Sequence, residues 1–344
     1  MMKSAVVFTA LFLYAISHIK DELYLPKQGA FMKIVFLDST ALPPHLPIPR
    51  PDFDHEWIDY PYTGAEQTVE RAKDADIVVT SKVIFSREVM EQLPKLKLIA
   101  LTATGTNNID LIAAKELGIR VKNVAGYSSV TVPEHVLGLI FSLKHSLAGW
   151  YRDQLEGKWG ESKQFCYFDY PITDIRGSVL GVVGKGCLGT EVGRLATALG
   201  MKVLYAEHRD AQSCREGYTP FDEVLKQADI VTLHCPLTEH TTNLINKETL
   251  SLFKKGAFLI NTGRGPLVDE QALLDALKSG HLAGAAIDVM IKEPPEKDNP
   301  LIVAAKTMPN LLITPHIAWA SDSAVTTLVN KVRDNIEEFV ATGK

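Results

Sequence analysis

Cysteine is scarce in this sequence and forms no pattern. Cys166, Cys187, Cys214 and Cys235 are the only four in 344 residues, and no two stand as C-x-x-C. That argues against a zinc site or a disulfide scaffold and fits reduced thiols in the cytoplasm. Basic charge is short as well. Thirty-six Lys and Arg face 41 Asp and Glu, a net charge of −5, and no Lys/Arg run interrupts that balance. Such a surface repels a phosphate backbone, so nucleic acid is not an expected partner. An apolar run long enough to cross a bilayer takes about twenty residues. The run Ala5–Ile16, AVVFTALFLYAI, reaches twelve, so no membrane association is expected. Internal repeats and low-complexity tracts are missing too.

What is present is an ordinary globular composition, 46% hydrophobic and 22% charged. At roughly 150 residues per domain the length implies about two domains. The first 31 residues stand apart as an N-terminal extension. Lys3 and the apolar run have the look of an export signal, but no A-x-A cleavage site follows. The expectation taken is that translation starts at Met32, where MKIVFLD opens a buried strand; an export signal or an arm is the alternative.

From Met32 onward short apolar runs alternate with amphipathic stretches, which argues for parallel sheets covered by helices on both faces. The first series of strands is Ile34–Leu37, Ile77–Thr80, Leu98–Leu101 and Ile119–Asn123. The second is Val179–Val183, Val203–Ala206, Ile230–His234, Ala257–Asn261, Ala285–Val289 and Leu311–Thr314. Six strands are the count of a complete dinucleotide-binding sheet. Between the series a single long helix is expected over Val132–Gln154, followed by an aromatic stretch, Trp159–Pro171, without helical or strand period. A last helix, Asp322–Val340, could pack back on the first domain.

One motif carries a physical mechanism. Gly184-Lys185-Gly186-Cys187-Leu188-Gly189 is a G-x-G-x-x-G with the strand VLGVV running into it and a helix running out. The glycines permit a tight turn, close approach of a pyrophosphate to the backbone, and close packing of helix on strand. The helix start supplies N–H groups and a favourable dipole for phosphates. Glu207 stands 18 residues after Gly189, at the end of the next strand. A carboxylate there accepts from a ribose 2′-OH and repels a 2′-phosphate, which favours NAD(H) and makes NADP(H) the lesser expectation; His208 and Arg209 could soften that preference.

Three further residues follow strand ends, where ligands bind in such sheets. Arg264 lies in NTGRGPLVD, Glu293 in DVMIKEPP and His316 in TPHIAWAS. Alone, each reads as an exposed loop residue; together they match what hydride transfer to a 2-keto acid needs, namely a cation, a carboxylate and a proton donor. A metal role for His234, Cys235 and His240 lacks ligand spacing, and no metal is expected.

These segments, with the upstream ATGTNNID and TVPEHV, resemble the signatures of the D-2-hydroxyacid dehydrogenase family. The resemblance runs from Met32 to the C-terminus and is nearest to the hydroxypyruvate reductase (glycerate dehydrogenase) branch. It implies two doubly wound parallel-sheet α/β domains with a cleft between them. A flavodoxin-like substrate domain would take residues 32–131 plus 318–344, and a Rossmann NAD domain residues 132–317.

The resemblance also implies roles. His316 would be the general acid in ketone reduction. Glu293 would bond its imidazole and favour the protonated form, and Arg264 would hold the carboxylate and polarise the carbonyl. Asp288 would meet the nicotinamide carboxamide, and His234 and Pro236 the adenosine side. Thr262 also belongs to the coenzyme set. Backbone N–H groups of Thr104 and Gly105 would hold the substrate carboxylate. A homodimer is implied, with Val132–Gln154 and the aromatic stretch as its contact.

Two positions depart from the family pattern. Pro133 replaces a common alanine, and Trp319 stands where many members have glycine, so its indole is expected to narrow the site toward hydroxypyruvate or glyoxylate unless it packs on its own domain. The expected activity is NADH-dependent reduction of such an acid, giving D-glycerate or glycolate. A phosphoglycerate dehydrogenase is the nearest rival; it would need cationic help for the phosphate, and its long versions carry a C-terminal regulatory domain for which there is no room after Lys344. Formate oxidation is disfavoured, since that branch has Gln where Glu293 stands. A non-catalytic NADH-sensing module of corepressor type is the reading from another class.

Overall fold

The computed structural model describes residues 31–343. The apolar run Ala5–Ile16 and the question of where translation starts lie outside the described residues. The chain divides into two compact units, residues 31–127 with 322–343, and residues 128–321.

The first unit is a five-stranded parallel sheet. Its strands are β1 (Met32–Phe36), β2 (His55–Asp59), β3 (Ile77–Thr80), β4 (Leu98–Leu101) and β5 (Arg120–Lys122), in the order β2-β1-β3-β4-β5. Strands β3 and β4 are buried at every residue, which is why they stand out in sequence as continuous apolar runs. Strand β2 is an addition to the sequence-based set. HEWID has no fully buried residue and lies at the sheet edge, so it carries neither an apolar run nor a clean alternation. Asp110 starts the helix Leu111–Glu116 by accepting from the Ala113 N–H. The terminal helix, Asp322–Thr342, buries Val325, Leu328, Val332, Ile336 and Phe339 at helical spacing within this same unit.

The second unit is a six-stranded parallel sheet of β6 (Val179–Val183), β7 (Lys202–Ala206), β8 (Ile230–Leu233), β9 (Ala257–Asn261), β10 (Leu282–Ile287) and β11 (Leu311–Ile313). The order is β11-β10-β9-β8-β6-β7, so the winding reverses between β6 and β8. The carboxyl ends of those two strands therefore flank the crevice where open α/β sheets take ligands. Two parallel α/β sheets are thus present, as the alternation of elements implies.

The single long helix expected over Val132–Gln154 is two helices, Thr131–Lys144 and Leu147–Leu155. Ser146 turns left-handed (φ 52°) between them, and its hydroxyl donates to the Pro171 carbonyl at 2.7 Å. The apolar period runs through the break, which is why sequence does not reveal it. Packing imposes it: the Trp150 ring meets Tyr167 and Tyr170 edge-on, with centroids 5.3 and 5.0 Å away. Buried Asp153 sits beneath them, accepting from Tyr170 at 2.9 Å and from Lys158 at 2.7 Å. The aromatic stretch also contains one helical turn, Lys158–Glu161, where no period was expected.

Candidate active site

The glycine turn shows at three positions how this sequence builds a tight turn with an open helix start. A Cβ on Gly184 (φ +101°) would lie 2.6 Å from the Cys235 nitrogen and the His234 carbonyl carbon, so the loops after β6 and β8 touch there only because it is glycine. A Cβ on Gly189 would lie 2.0 Å from the Gly184 carbonyl oxygen, which brings the helix Cys187–Ala198 hard against the turn. Gly186 differs. Nothing lies within 4 Å of its Cβ position, and no side chain caps the helix it opens. The uncapped N–H groups of Cys187, Leu188 and Gly189 have the chemistry a pyrophosphate needs.

A cavity of about 650 Å³ extends from this turn. Glu207, Arg215, Tyr218, His234 and Pro236 are among its lining residues. His234 bonds Thr232 Oγ1 through Nε2 at 2.9 Å, and burial pushes its imidazole down to about 4. Burial also pushes the Cys235 thiol up to about 11. Both are neutral near pH 7, so these two side chains present no charge to the cavity.

Glu207 is 4% exposed, and both its oxygens are engaged. Oε1 accepts from the His208 N–H at 2.8 Å and Arg215 Nη2 at 2.6 Å; Oε2 accepts from the Arg215 N–H at 3.0 Å and Arg215 Nε at 2.7 Å. The Arg215 guanidinium and these N–H groups hold the Glu207 carboxyl down to about 2. Arg215 went unnoticed in the sequence, because it stands 8 residues downstream in a loop with no motif.

Arg264, Glu293 and His316 follow three adjacent parallel strands, β9, β10 and β11. They lie outside the lining of the 650 Å³ cavity. His316 Nδ1 is 2.7 Å from Glu293 Oε2, a pair about a quarter to a third exposed. With Nδ1–H directed at the carboxylate, Nε2 is the atom left to meet a reacting oxygen. Each loop is held by a second residue. Buried Asn261 donates to the Arg264 carbonyl at 2.8 Å and accepts from the Gly263 N–H at 3.0 Å. Glu270 accepts from the Ile291 N–H and from Asn299 Nδ2, both at 2.9 Å, and so ties down the Glu293 loop. A Cβ on Gly265 would lie 2.0 Å from the Met290 carbonyl, which puts the Arg264 and Glu293 loops in backbone contact. Asn261, Gly265 and Glu270 stand outside the site expected from sequence; the N-T-G-R-G run was the available signal for the first two.

Asp288 is 2% exposed and holds the His316 loop, accepting from Thr314 Oγ1 at 2.5 Å and from the Ile317 and Ala318 N–H groups at 3.0 Å. Trp319 packs against the apolar cluster of its own unit, and its indole N–H donates to the His316 carbonyl at 2.8 Å. Among the described residues, the one buried side-chain polar atom without a partner is Thr262 Oγ1, just past β9. An unpaired hydroxyl, an open Gly186 and an uncapped helix start together fit a bound dinucleotide.

Thr104 and Gly105 belong to the first unit, past the end of β4. The Thr104 hydroxyl donates to the Val124 carbonyl at 2.8 Å, and Asn123 Nδ2 donates to the Thr104 carbonyl at 2.6 Å. In the same unit Asp38 accepts from the N–H groups of Ser81 and Lys82, at 2.9 and 2.8 Å, and burial raises its carboxyl. No group of His, Cys, Asp and Glu among the described residues is placed to hold a metal ion, and none of their helices is long and apolar enough to cross a membrane.

A dinucleotide turn in a six-stranded parallel sheet, with a paired His and Glu and an Arg at neighbouring strand ends, defines a nicotinamide-dependent oxidoreductase. Residues 137–318 match the family described as D-isomer specific 2-hydroxyacid dehydrogenase, NAD binding domain. A Haemophilus influenzae protein, provisionally named a 2-hydroxyacid dehydrogenase, is 81% identical over 90% of this chain and 98% of its own. The glycerate dehydrogenase of Methylorubrum extorquens is 46% identical over 90% and 96%. The structure of Aquifex aeolicus D-lactate dehydrogenase with NAD and lactic acid superposes with a TM-score of 0.74 at 27% identity, covering 90% of this chain and 95% of that one. This chain belongs to the D-isomer-specific 2-hydroxyacid dehydrogenase family and is an NAD-dependent 2-hydroxyacid dehydrogenase.

Proposed function

We propose that the substrate is a short 2-keto acid, hydroxypyruvate first and glyoxylate second, reduced with NADH to D-glycerate or glycolate. The observation that carries the chemistry is the His316–Glu293 pair at 2.7 Å on the strand end next to that of Arg264. The bound nicotinamide supplies the hydride. His316 donates the Nε2 proton to the carbonyl oxygen as negative charge builds there. Glu293 offsets the imidazolium and fixes the ring through Nδ1. Arg264 holds the substrate carboxylate and polarises the carbonyl. Losing a preorganised donor of this kind costs about 3–4 kcal/mol of barrier. The choice of hydroxypyruvate rests on the similarity to the glycerate dehydrogenase and on the ATGTNNID and PHIAWAS segments.

An absorbance assay at 340 nm tests this, with NADH or NADPH and hydroxypyruvate, glyoxylate, pyruvate or 3-phosphohydroxypyruvate. Oxidation fastest with hydroxypyruvate, and lost in His316→Ala, is the expected result. A preference for the phosphorylated acid would replace this substrate. Silence with all four acids while NADH still binds would favour a sensing role.

Leu147, Tyr151, Leu155, Trp159, Phe165 and Phe168 are large apolar side chains left exposed, which a second copy would cover. A homodimer is therefore proposed, and a monomer mass by light scattering at micromolar concentration would refute it. The four free cysteines suit a reducing cytoplasm.

A further inference from the structure

Glu207 stands where a carboxylate accepts from the adenosine ribose. An ionised carboxylate offers about four lone-pair sites. The His208 N–H, the Arg215 N–H, Arg215 Nε and Arg215 Nη2 supply four donors to them, at 2.6–3.0 Å. No site remains for a ribose 2′-OH unless Arg215 lets go. The fork of Arg215 also cancels the negative charge that would repel a 2′-phosphate. What faces the cavity beside Glu207 is the guanidinium itself. Its side chain is 54% exposed, it stacks 4.1 Å over the Tyr218 ring, and it lines the cavity with Lys185 and Arg209. Two of its five N–H groups are on Glu207, leaving three directed elsewhere.

We propose that Arg215, held in place by Glu207 and Tyr218, is the residue that meets the 2′ position of the coenzyme, and that the enzyme consequently uses NADPH as well as NADH. This rests on the dinucleotide reading of the cavity and is independent of which 2-keto acid is reduced. A guanidinium donates to a 2′-hydroxyl and gains a charge-assisted pair with a 2′-phosphate, so one side chain serves both coenzymes. Arg209 is a weaker candidate, since it is already paired with Glu248 at 2.9 Å.

Binding of NADH and NADPH, followed by nucleotide fluorescence without any keto acid, tests this in wild type, Arg215→Gln and Arg215→Lys. Wild type is expected to bind both coenzymes. Arg215→Gln should lower NADPH affinity about tenfold relative to NADH, the size of one lost charge-assisted hydrogen bond. NADH binding should fall less, because the freed Glu207 carboxylate can accept from the ribose 2′-OH in place of the lost guanidinium donor. Arg215→Lys, which keeps the charge and loses the fork, should fall between. No NADPH binding by wild type, or a change in the NADPH-to-NADH ratio below about fivefold in Arg215→Gln, overturns the proposal while leaving the dehydrogenase reading intact. If Arg215→Gln does not give a cooperative melt, Arg215→Lys decides by the same ratio, with any loss against NADPH supporting and none overturning. Failure of wild type to bind either coenzyme would overturn the cavity assignment itself.

Discussion

The indole N–H of Trp319 donates to the main-chain carbonyl of His316 at 2.8 Å, and His316 holds a left-handed backbone, φ 55°. A non-glycine residue in that region persists only where its surroundings impose it. The bonds to the His316 loop from Trp319 and Asp288 are those surroundings. Trp319 thus bonds the His316 backbone, and its ring packs on its own unit. Trp319→Phe, which keeps most of the ring and loses the donor, is expected to lower kcat about fivefold, near 1 kcal/mol for one hydrogen bond, with KM for NADH unchanged. Trp319→Gly should lower kcat further without moving chain-length preference. A gain of activity toward larger 2-keto acids would show instead that the indole walls the pocket.

The two glycines flanking the phosphate cradle should fail differently. Gly186→Ala meets nothing within 4 Å in the protein, so the variant is expected to melt like wild type yet lose dinucleotide binding at least about tenfold. Gly189→Ala drives a Cβ into the Gly184 carbonyl at 2.0 Å and should destabilise the unit by about 1–3 kcal/mol. Calorimetry with and without NADH separates the two. Equal stability losses would contradict the distinction.

Gly265 lets the arginine loop lie against the glutamate loop. A Cβ there, 2.0 Å from the Met290 carbonyl carbon and oxygen, must push the loops apart. Gly265→Ala is expected to cost about 10²-fold in kcat/KM through misplacement of Arg264 and Glu293, with NADH affinity near wild type. Steady-state kinetics beside a coenzyme titration would check this. Wild-type turnover would mean that the backbone contact has no catalytic consequence.

Acid stability should decline in two stages. His234 falls from 6.5 to about 4 through burial, and Glu207 from 4.5 to about 2 through Arg215. In each case the unfolded chain binds the proton at the higher pH. Stability is therefore full above the ordinary value and is lost as pH falls toward the folded value. The windows are 6.5 to about 4 for His234 and 4.5 to about 2 for Glu207. Between pH 7.5 and 5 the His234 contribution to that loss is roughly 2 kcal/mol, and His234→Gln should remove it. Denaturant titrations at the two pH values measure the difference. An equal loss in wild type and variant would assign the drop to other groups.

The second sheet was legible at the level of strands because parallel strands buried on both faces read as unbroken apolar runs, and β6, β8 and β9 are such runs. The glycine turn was legible because its spacing is local. Strand β2 was not, since an exposed edge demands no apolar pattern. The break at Ser146 was hidden because the groups that pack there, Tyr167, Tyr170 and Pro171, come from a distant stretch of the chain.

By itself, the sequence determined that this protein is built from parallel α/β sheets, where the glycine turn lies, and which arginine, glutamate and histidine follow successive strands. These depend on period and spacing along the chain. Only the tertiary structure decided that Arg215 occupies Glu207, that Asn261 and Glu270 hold the Arg264 and Glu293 loops, and that Trp319 bonds the His316 backbone. Except for the short steps from Trp319 to His316 and from Asn261 to Gly263 and Arg264, these partners lie at separations without any periodic signature, and even those bonds depend on loop conformations which sequence does not disclose. Hydrogen-bond satisfaction of buried groups selects partners by distance in space, and the fold alone sets that distance.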